Sequence, residues 1–246
     1  MTNEEVLQKI EKAKASGATK LDLRRMELTS LPPELFQLTN LTELNLTGNQ
    51  LTTLPPELFQ LTNLTELNLY NNQLTALPPE IGQLTNLTEL IFNKNQISSL
   101  PQEIGQLTNL TNLNLYENQL SSLPPEIGQL TKLKGLYLIG NQLTSLPLEI
   151  CQLTNLTTLH LYNNQLTSLP SEICQLTNLT ELVLYDNPLL CPPLEIAVKG
   201  RKVTREYFAE LEKGQQALNE VKVLLIGDGA AGKTSLVKQL LGQPFD

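Results

Sequence analysis

Near its C-terminus the chain carries Gly227, Asp228, Gly229, Ala230, Ala231, Gly232, Lys233, Thr234 and Ser235, a run that satisfies the pattern Gly-x4-Gly-Lys-Thr. These residue types in this order suit the cradling of a nucleotide's phosphates. Gly227, Gly229 and Gly232 let backbone N–H groups converge on phosphate oxygens, and the N-terminus of a following helix adds favourable potential. Lys233 would reach the β and γ phosphates, and Thr234 would ligate Mg2+.

The flanking residues fit that task. The apolar run from Val221 to Ile226 reads as a strand entering the loop, and Leu236, Val237 and Leu240 in "TSLVKQLL" recur at helical spacing. Only 26 residues run from Val221 to Asp246, against the roughly 100–150 that a domain needs. No metal-binding Asp, water-positioning residue or base-reading motif accompanies the loop. The expectation is therefore an N-terminal fragment cut just inside a second domain. Without its sheet the loop has no preorganised geometry. On its own the fragment is expected to carry no cofactor and no catalysis.

The preceding residues are a repeat. "QLTNLTELNL" starts at Gln37 and returns at Gln60; its opening residues recur at Gln83, Gln106, Gln152 and Gln175, with "QLTKLKGLYL" at Gln129, always 23 residues apart. The units share Leu-x-x-Leu-x-Leu-x-x-Asn-x-Leu, a leucine-rich-repeat pattern. Leu44 and Leu46 alternate with polar neighbours as in a half-buried strand, each pairing in parallel with its copy in the next unit. "LPPE" favours a short helical turn, since Pro presets φ and the Glu lies near the positive end of the turn's dipole. Eight strands are expected near Leu21, Leu44, Leu67, Leu90, Leu113, Leu136, Leu159 and Leu182.

The predicted fold class is an α/β repeat: a leucine-rich-repeat solenoid or horseshoe with a parallel concave sheet and helical caps, followed by the truncated start of a P-loop α/β domain. Residues 1–17 form a capping helix on Val6, Leu7, Ile10 and Ala13, stopped by Gly17. Residues 18–190 hold eight units, 191–220 a second helical cap and linker with Val203, Tyr207 and Leu211 on one face, and 221–246 the strand, loop and first helix. The Asn column at 49, 72, 95, 118, 141, 164 and 187 is assigned to structure, each amide satisfying backbone groups in its turn. Met26 replaces it in the first unit, an atypical end repeat.

Side chains pointing away from the leucines line the concave face. They begin polar and charged, with Lys20, Asp22, Arg24, Glu43, Asn45, Glu66, Asn68 and Glu89. They then turn aromatic and apolar, with Tyr70, Tyr116, Tyr162 and Tyr185 in one column and Tyr137, His160 and Val183 in the next. Tyr gives large contact area with a polar tip, so this face is expected to dock a protein or peptide.

Composition removes other classes. The net charge is −8, and residues 1–190 hold 9 Lys/Arg against 18 Asp/Glu, so no nucleic-acid partner is expected. No run approaches the ~18 apolar residues of a membrane span, and "MTNEEVLQKIEKAKASG" is too charged for a signal peptide. Three cysteines suit a reducing compartment, so a cytoplasmic location is expected; Cys151 and Cys174 share a repeat position and should stack on each other as two reduced structural thiols, with a disulfide between them as the alternative. "NLT" at Asn40 and its equivalents then follows from the repeat and is no glycosylation signal. A single histidine, His160, can assemble neither a metal cluster nor a His-based triad.

"KVLLIGDGAAGKTSLVKQLLG" resembles the opening of a Ras-like small GTPase domain. Its position after leucine-rich repeats resembles the Roco family, in which repeats precede a Roc GTPase domain and a COR dimerisation domain. The resemblance implies a bacterial parent that binds GTP and Mg2+ at Gly227–Thr234, hydrolyses the β–γ bond and forms a homodimer. The repeats would be its regulatory or partner-binding arm, acting on a foreign protein or on the GTPase and COR domains themselves. Two alternatives stay open: a stand-alone leucine-rich-repeat binding module, and an ATPase of the immune-receptor type.

Overall fold

A computed structural model describes residues 3–216. The sequence-predicted phosphate loop Gly227–Ser235, its strand and its helix lie outside the described residues.

Each 23-residue unit contributes one short strand. These are β1 Lys20–Asp22, β2 Glu43–Asn45, β3 Glu66–Asn68, β4 Glu89–Ile91, β5 Asn112–Asn114, β6 Gly135–Tyr137, β7 Thr158–His160 and β8 Glu181–Val183. They form one parallel sheet in sequence order, the solenoid expected from the repeat. Register is set by the central leucine, Leu21 against Leu44, then Leu67, and so on to Leu182. A slip by one residue would turn every leucine outward.

Opposite the sheet stand seven 3-10 turns, from Pro33–Gln37 to Ser171–Gln175. Pro32 opens the first with φ −70° and ψ 142°, and Leu38 N–H closes it onto the Leu35 carbonyl at 3.1 Å. Between strands and turns lies a core of leucines that runs through the stack, with Phe59 and Phe92 fully buried among them.

The Asn column is structural, as expected. Asn72 Nδ2 donates to the Leu46 and Leu69 carbonyls, and its Oδ1 accepts the Leu51 N–H at 3.1 Å. Asn49 does more: its Oδ1 accepts both Met26 N–H and Leu28 N–H, in the unit where Met26 stands in place of the amide. The "NLT" asparagines also serve the stack, Asn63 Nδ2 donating to Thr39 carbonyl at 2.8 Å and Asn86 to Thr62 at 2.9 Å.

Helix α1, Asn3–Ser16, lays Val6, Ile10 and Ala13 on the first unit and ends at Gly17, φ +61°. At the other end α2, Leu194–Ala197, and α3, Arg201–Gln216, follow β8. The expected face of Val203, Tyr207 and Leu211 is corrected in part. The buried positions of α3 are Thr204 and Phe208, with Tyr207 packed against the core, while Leu211 is exposed. Thr204 can be buried because its hydroxyl donates to the Gly200 carbonyl at 3.2 Å.

Candidate functional site

The open face of the sheet carries alternate residues of each strand and the second residue beyond it. Because the strands pair without offset, equivalent positions form straight rows. The backbone ladder puts Tyr70, Asn93, Tyr116, Ile139, Tyr162 and Tyr185 in one row: Asn71 N–H donates to Asn93 O, Lys94 to Tyr116 O, Glu117 to Ile139 O, and Asn163 to Tyr185 O, at 2.7–3.0 Å. Beside it Asn114, Tyr137, His160 and Val183 are consecutive partners. The structure thus brings together all seven sequence-predicted contact residues, Tyr70, Tyr116, Tyr137, His160, Tyr162, Val183 and Tyr185. The sequence reading overlooked Asn93 and Ile139, which complete the row; the 23-residue period alone would have placed them there.

Tyr137 and His160 meet edge to face, 5.2 Å between ring centres and 88° between planes. The Tyr137 ring lies along the sheet, over Gly135. A Cβ at Gly135 would sit 2.8 Å from Tyr137 Cε2, so glycine there is what lets the ring lie down. His160 Nε2 is 2.9 Å from Glu181 Oε1, yet the nitrogen is buried without an aligned hydrogen bond. Tyr162 and Tyr185 stand 40% and 56% exposed, which leaves their rings free for a partner. A hydrogen bond to Asp186, then that carboxylate's charge, raises the Tyr162 hydroxyl above its ordinary range.

Towards β1 the face becomes acidic. Glu43, Glu66 and Glu89 are successive register partners. Lys20 Nζ pairs with Glu43 at 2.6 Å and Arg24 with Asp22 at 2.7 Å. Lys94 stands between the two halves, 3.5 Å from Glu117 and 5.9 Å from the Tyr70 ring centre, so that ring already accepts a cation. Cys151 is buried, and burial pushes its thiol up to about 12. It is an inert packing group on the far side of the solenoid from this face. Among the described residues no group of His, Cys, Asp and Glu could hold a metal ion.

The nucleotide-binding candidates Gly227, Asp228, Gly229, Ala230, Ala231, Gly232, Lys233, Thr234 and Ser235 lie outside the described residues.

Comparison with known proteins agrees with the repeat reading. A leucine rich repeat model matches residues 16–74 and 85–143, and a two-copy leucine-rich-repeat model matches 62–106 and 154–195. The chain belongs to the leucine-rich-repeat proteins. No curated protein matches it. Among solved structures it is similar to a leucine-rich-repeat protein of Leptospira interrogans, at 42% identity and TM-score 0.56, over 72% of this chain and 57% of that one. It is also similar to the leucine-rich-repeat ectodomain of the Arabidopsis thaliana membrane receptor kinase GASSHO1/SCHENGEN3, solved in complex with Casparian strip integrity factor 2. That likeness has 41% identity and TM-score 0.61, and covers 65% of this chain and 20% of that one. Among the described residues no helix is long and apolar enough to cross a membrane.

Proposed function

We propose that the open face of the sheet docks a protein or peptide, and that the repeats are the partner-binding arm of a cytoplasmic Roco-type GTPase. One observation carries the docking reading: two adjacent rows rich in aromatic side chains stand in register on a sheet face that no element among the described residues covers, with Tyr162 and Tyr185 substantially exposed. Tyrosine rings, with few rotatable bonds and a polar tip, lose little side-chain entropy on binding and are frequent hot spots. The similar Arabidopsis ectodomain, solved with a bound partner, supports this use of a repeat array.

The test is selection of a displayed library of random 12-residue peptides on the chain, followed by the Tyr116→Ala, Tyr162→Ala double variant. Binding is expected to fall at least about tenfold, with the urea midpoint little changed. Selected peptides that bind the double variant as tightly as the parent would place docking elsewhere.

The GTPase part of the proposal is supported by Gly227 to Thr234 and its position after the repeats. Gly227–Ser235 would hold the phosphates of GTP, Thr234 would hold Mg2+, and the parent would act as a homodimer. The stand-alone binding module accounts for the repeats equally well. Single-turnover GTP hydrolysis by the protein with its complete nucleotide domain separates the two. Hydrolysis abolished by Lys233→Ala supports the GTPase, and absence of nucleotide binding leaves the docking face as the function.

A further inference from the structure

The acidic half of the face says more about the partner. Glu43, Glu66 and Glu89 sit directly opposite one another on three neighbouring strands, where like charges destabilise a sheet. The fold does not need them there: the same position in β5, β6 and β7 is Asn112, Gly135 and Thr158. Nor, among the described residues, does an ion pair neutralise Glu66 or Glu89. Between Arg25 and Lys94 the chain has no lysine or arginine at all, and among the described residues Lys20 reaches Glu43 alone. The carboxylates are also not gathered into a group that could hold a metal ion.

A second, independent feature adjoins Glu89. Asn93 follows it on the same side of the chain, 4% exposed between Tyr70 and Tyr116, and its Oδ1 has no hydrogen-bond partner. One strand further, Asn114 Oδ1 is likewise unpartnered and buried. Its equivalents Asn45 and Asn68 turn their oxygens onto the N–H two residues ahead, at 3.0 Å. Asn114 does not. An unpaired buried acceptor costs free energy unless something donates to it.

We propose that the partner of this face is an extended peptide segment carrying lysine or arginine. Its cationic heads lie against Glu66 and Glu89 and on the tyrosine rings, and a turn of the Asn93 and Asn114 amides towards the open face lets its N–H groups donate to their unpaired oxygens. The inference rests on the docking reading above and gives it a chemistry. Extended chain matches the geometry: 12 residues reach about 40 Å, and eight strands at ~4.8 Å span about 34 Å.

The library selection tests it through composition. Peptides that depend on Tyr116 and Tyr162 are expected to be enriched in lysine and arginine. They should bind Glu66→Gln, Glu89→Gln at least about tenfold more weakly, and lose affinity in 0.5 M salt (on the order of a 4 Å screening length). That variant removes a repulsion, so it folds. The control, Glu34→Gln with Glu57→Gln, makes the same charge change on the 3-10 turns and should leave binding unaltered. Tyrosine-dependent peptides without basic enrichment, or equal loss in the control, overturn the inference while docking stands. No face-dependent peptide at all overturns both.

Discussion

Asn49 holds four buried hydrogen bonds at 6% exposure, whereas the bonds of its last equivalent, Asn187, are only partly buried. Removing the first strands two N–H groups and two carbonyls in a dry turn; removing the last strands groups that water can reach. Asn49→Ala should therefore cost about 3 kcal/mol and Asn187→Ala nearer 1 kcal/mol, read from urea midpoints. Equal losses would mean that burial does not set the value of this amide. Glu66 gives a prediction of opposite sign. Burial, then the charges of Glu89 and Glu43, raise its carboxyl above the usual 4.5. The folded chain thus binds that proton more tightly than the unfolded chain. Ionised Glu66 opposes folding at neutral pH, and the opposition fades as pH falls through the raised value towards the ordinary one. Glu66→Gln should add about 0.5 kcal/mol at neutral pH, a gain that shrinks in acid; a destabilised variant would contradict this. Such residues were legible in the sequence where the repeat exposes them by position. Asn93 was legible by position and passed over because its type breaks the tyrosine row, whereas Gly135 was not legible, because its role is set by the ring of Tyr137 lying over it.

The elements were legible because each carries its own signal: alternating leucines for the strands, Pro-Pro-Glu for the turns, and a 23-residue period that fixes register without long-range knowledge. What the period does not show is how tightly neighbouring turns stack. The position occupied by Phe36 and Phe59 in early units becomes Gly82, Gly105 and Gly128, then Cys151 and Cys174. A Cβ at Gly128 would lie 2.6 Å from the Glu149 carbonyl oxygen, a backbone atom of the next turn. At Gly82 the nearest atoms belong to the Gln106 side chain, 2.5 Å and 2.9 Å away, which can swing aside. Gly128→Ala must therefore separate two turns and should cost about 1–3 kcal/mol, while Gly82→Ala should cost under about 1 kcal/mol. Chemical denaturation of the pair checks the ranking, and a costlier Gly82→Ala would show that side-chain rearrangement is not the cheaper route. The helical cap at α3 was misread for a related reason. Spacing alone puts Val203, Tyr207 and Leu211 on a stripe, but which residues of the stripe are covered depends on where the last unit ends.

Across the whole array each unit touches only its neighbours, so stability is a sum of local interfaces and unfolding starts at the weaker end. The two ends differ. At β1 the helix α1 presses Val6, at 2% exposure, and Ile10, at 0%, onto the first unit, and Leu23 is fully buried. At β8 the middle residue, Leu182, is only half-buried, unlike the leucine at the centre of every earlier strand, and Leu179 is also half-buried. Among the described residues the buried contribution from beyond β8 is small, chiefly Leu184, Leu189, Ala197, Thr204 and Phe208. Fraying should therefore begin at β8 and pass towards the centre. Hydrogen exchange offers the readout, since the strands' N–H groups are bonded to neighbouring units. The amides of Leu161, bonded to Val183 O, and Glu181, bonded to Thr157 O, should exchange at least about tenfold faster than those of Leu23, bonded to Asn45 O, and Phe92, bonded to Asn114 O. Faster exchange at Leu23 than at Leu161 would show that α1 is the weaker cap. The expected order has a functional side: Tyr162, Tyr185 and Val183 belong to the loosening end, whereas Glu66, Glu89 and Asn93 belong to the rigid centre. A partner spanning both must order the last two units as it binds, so the peptides that bind the face should slow exchange at Leu161 and Glu181 and leave Phe92 unchanged.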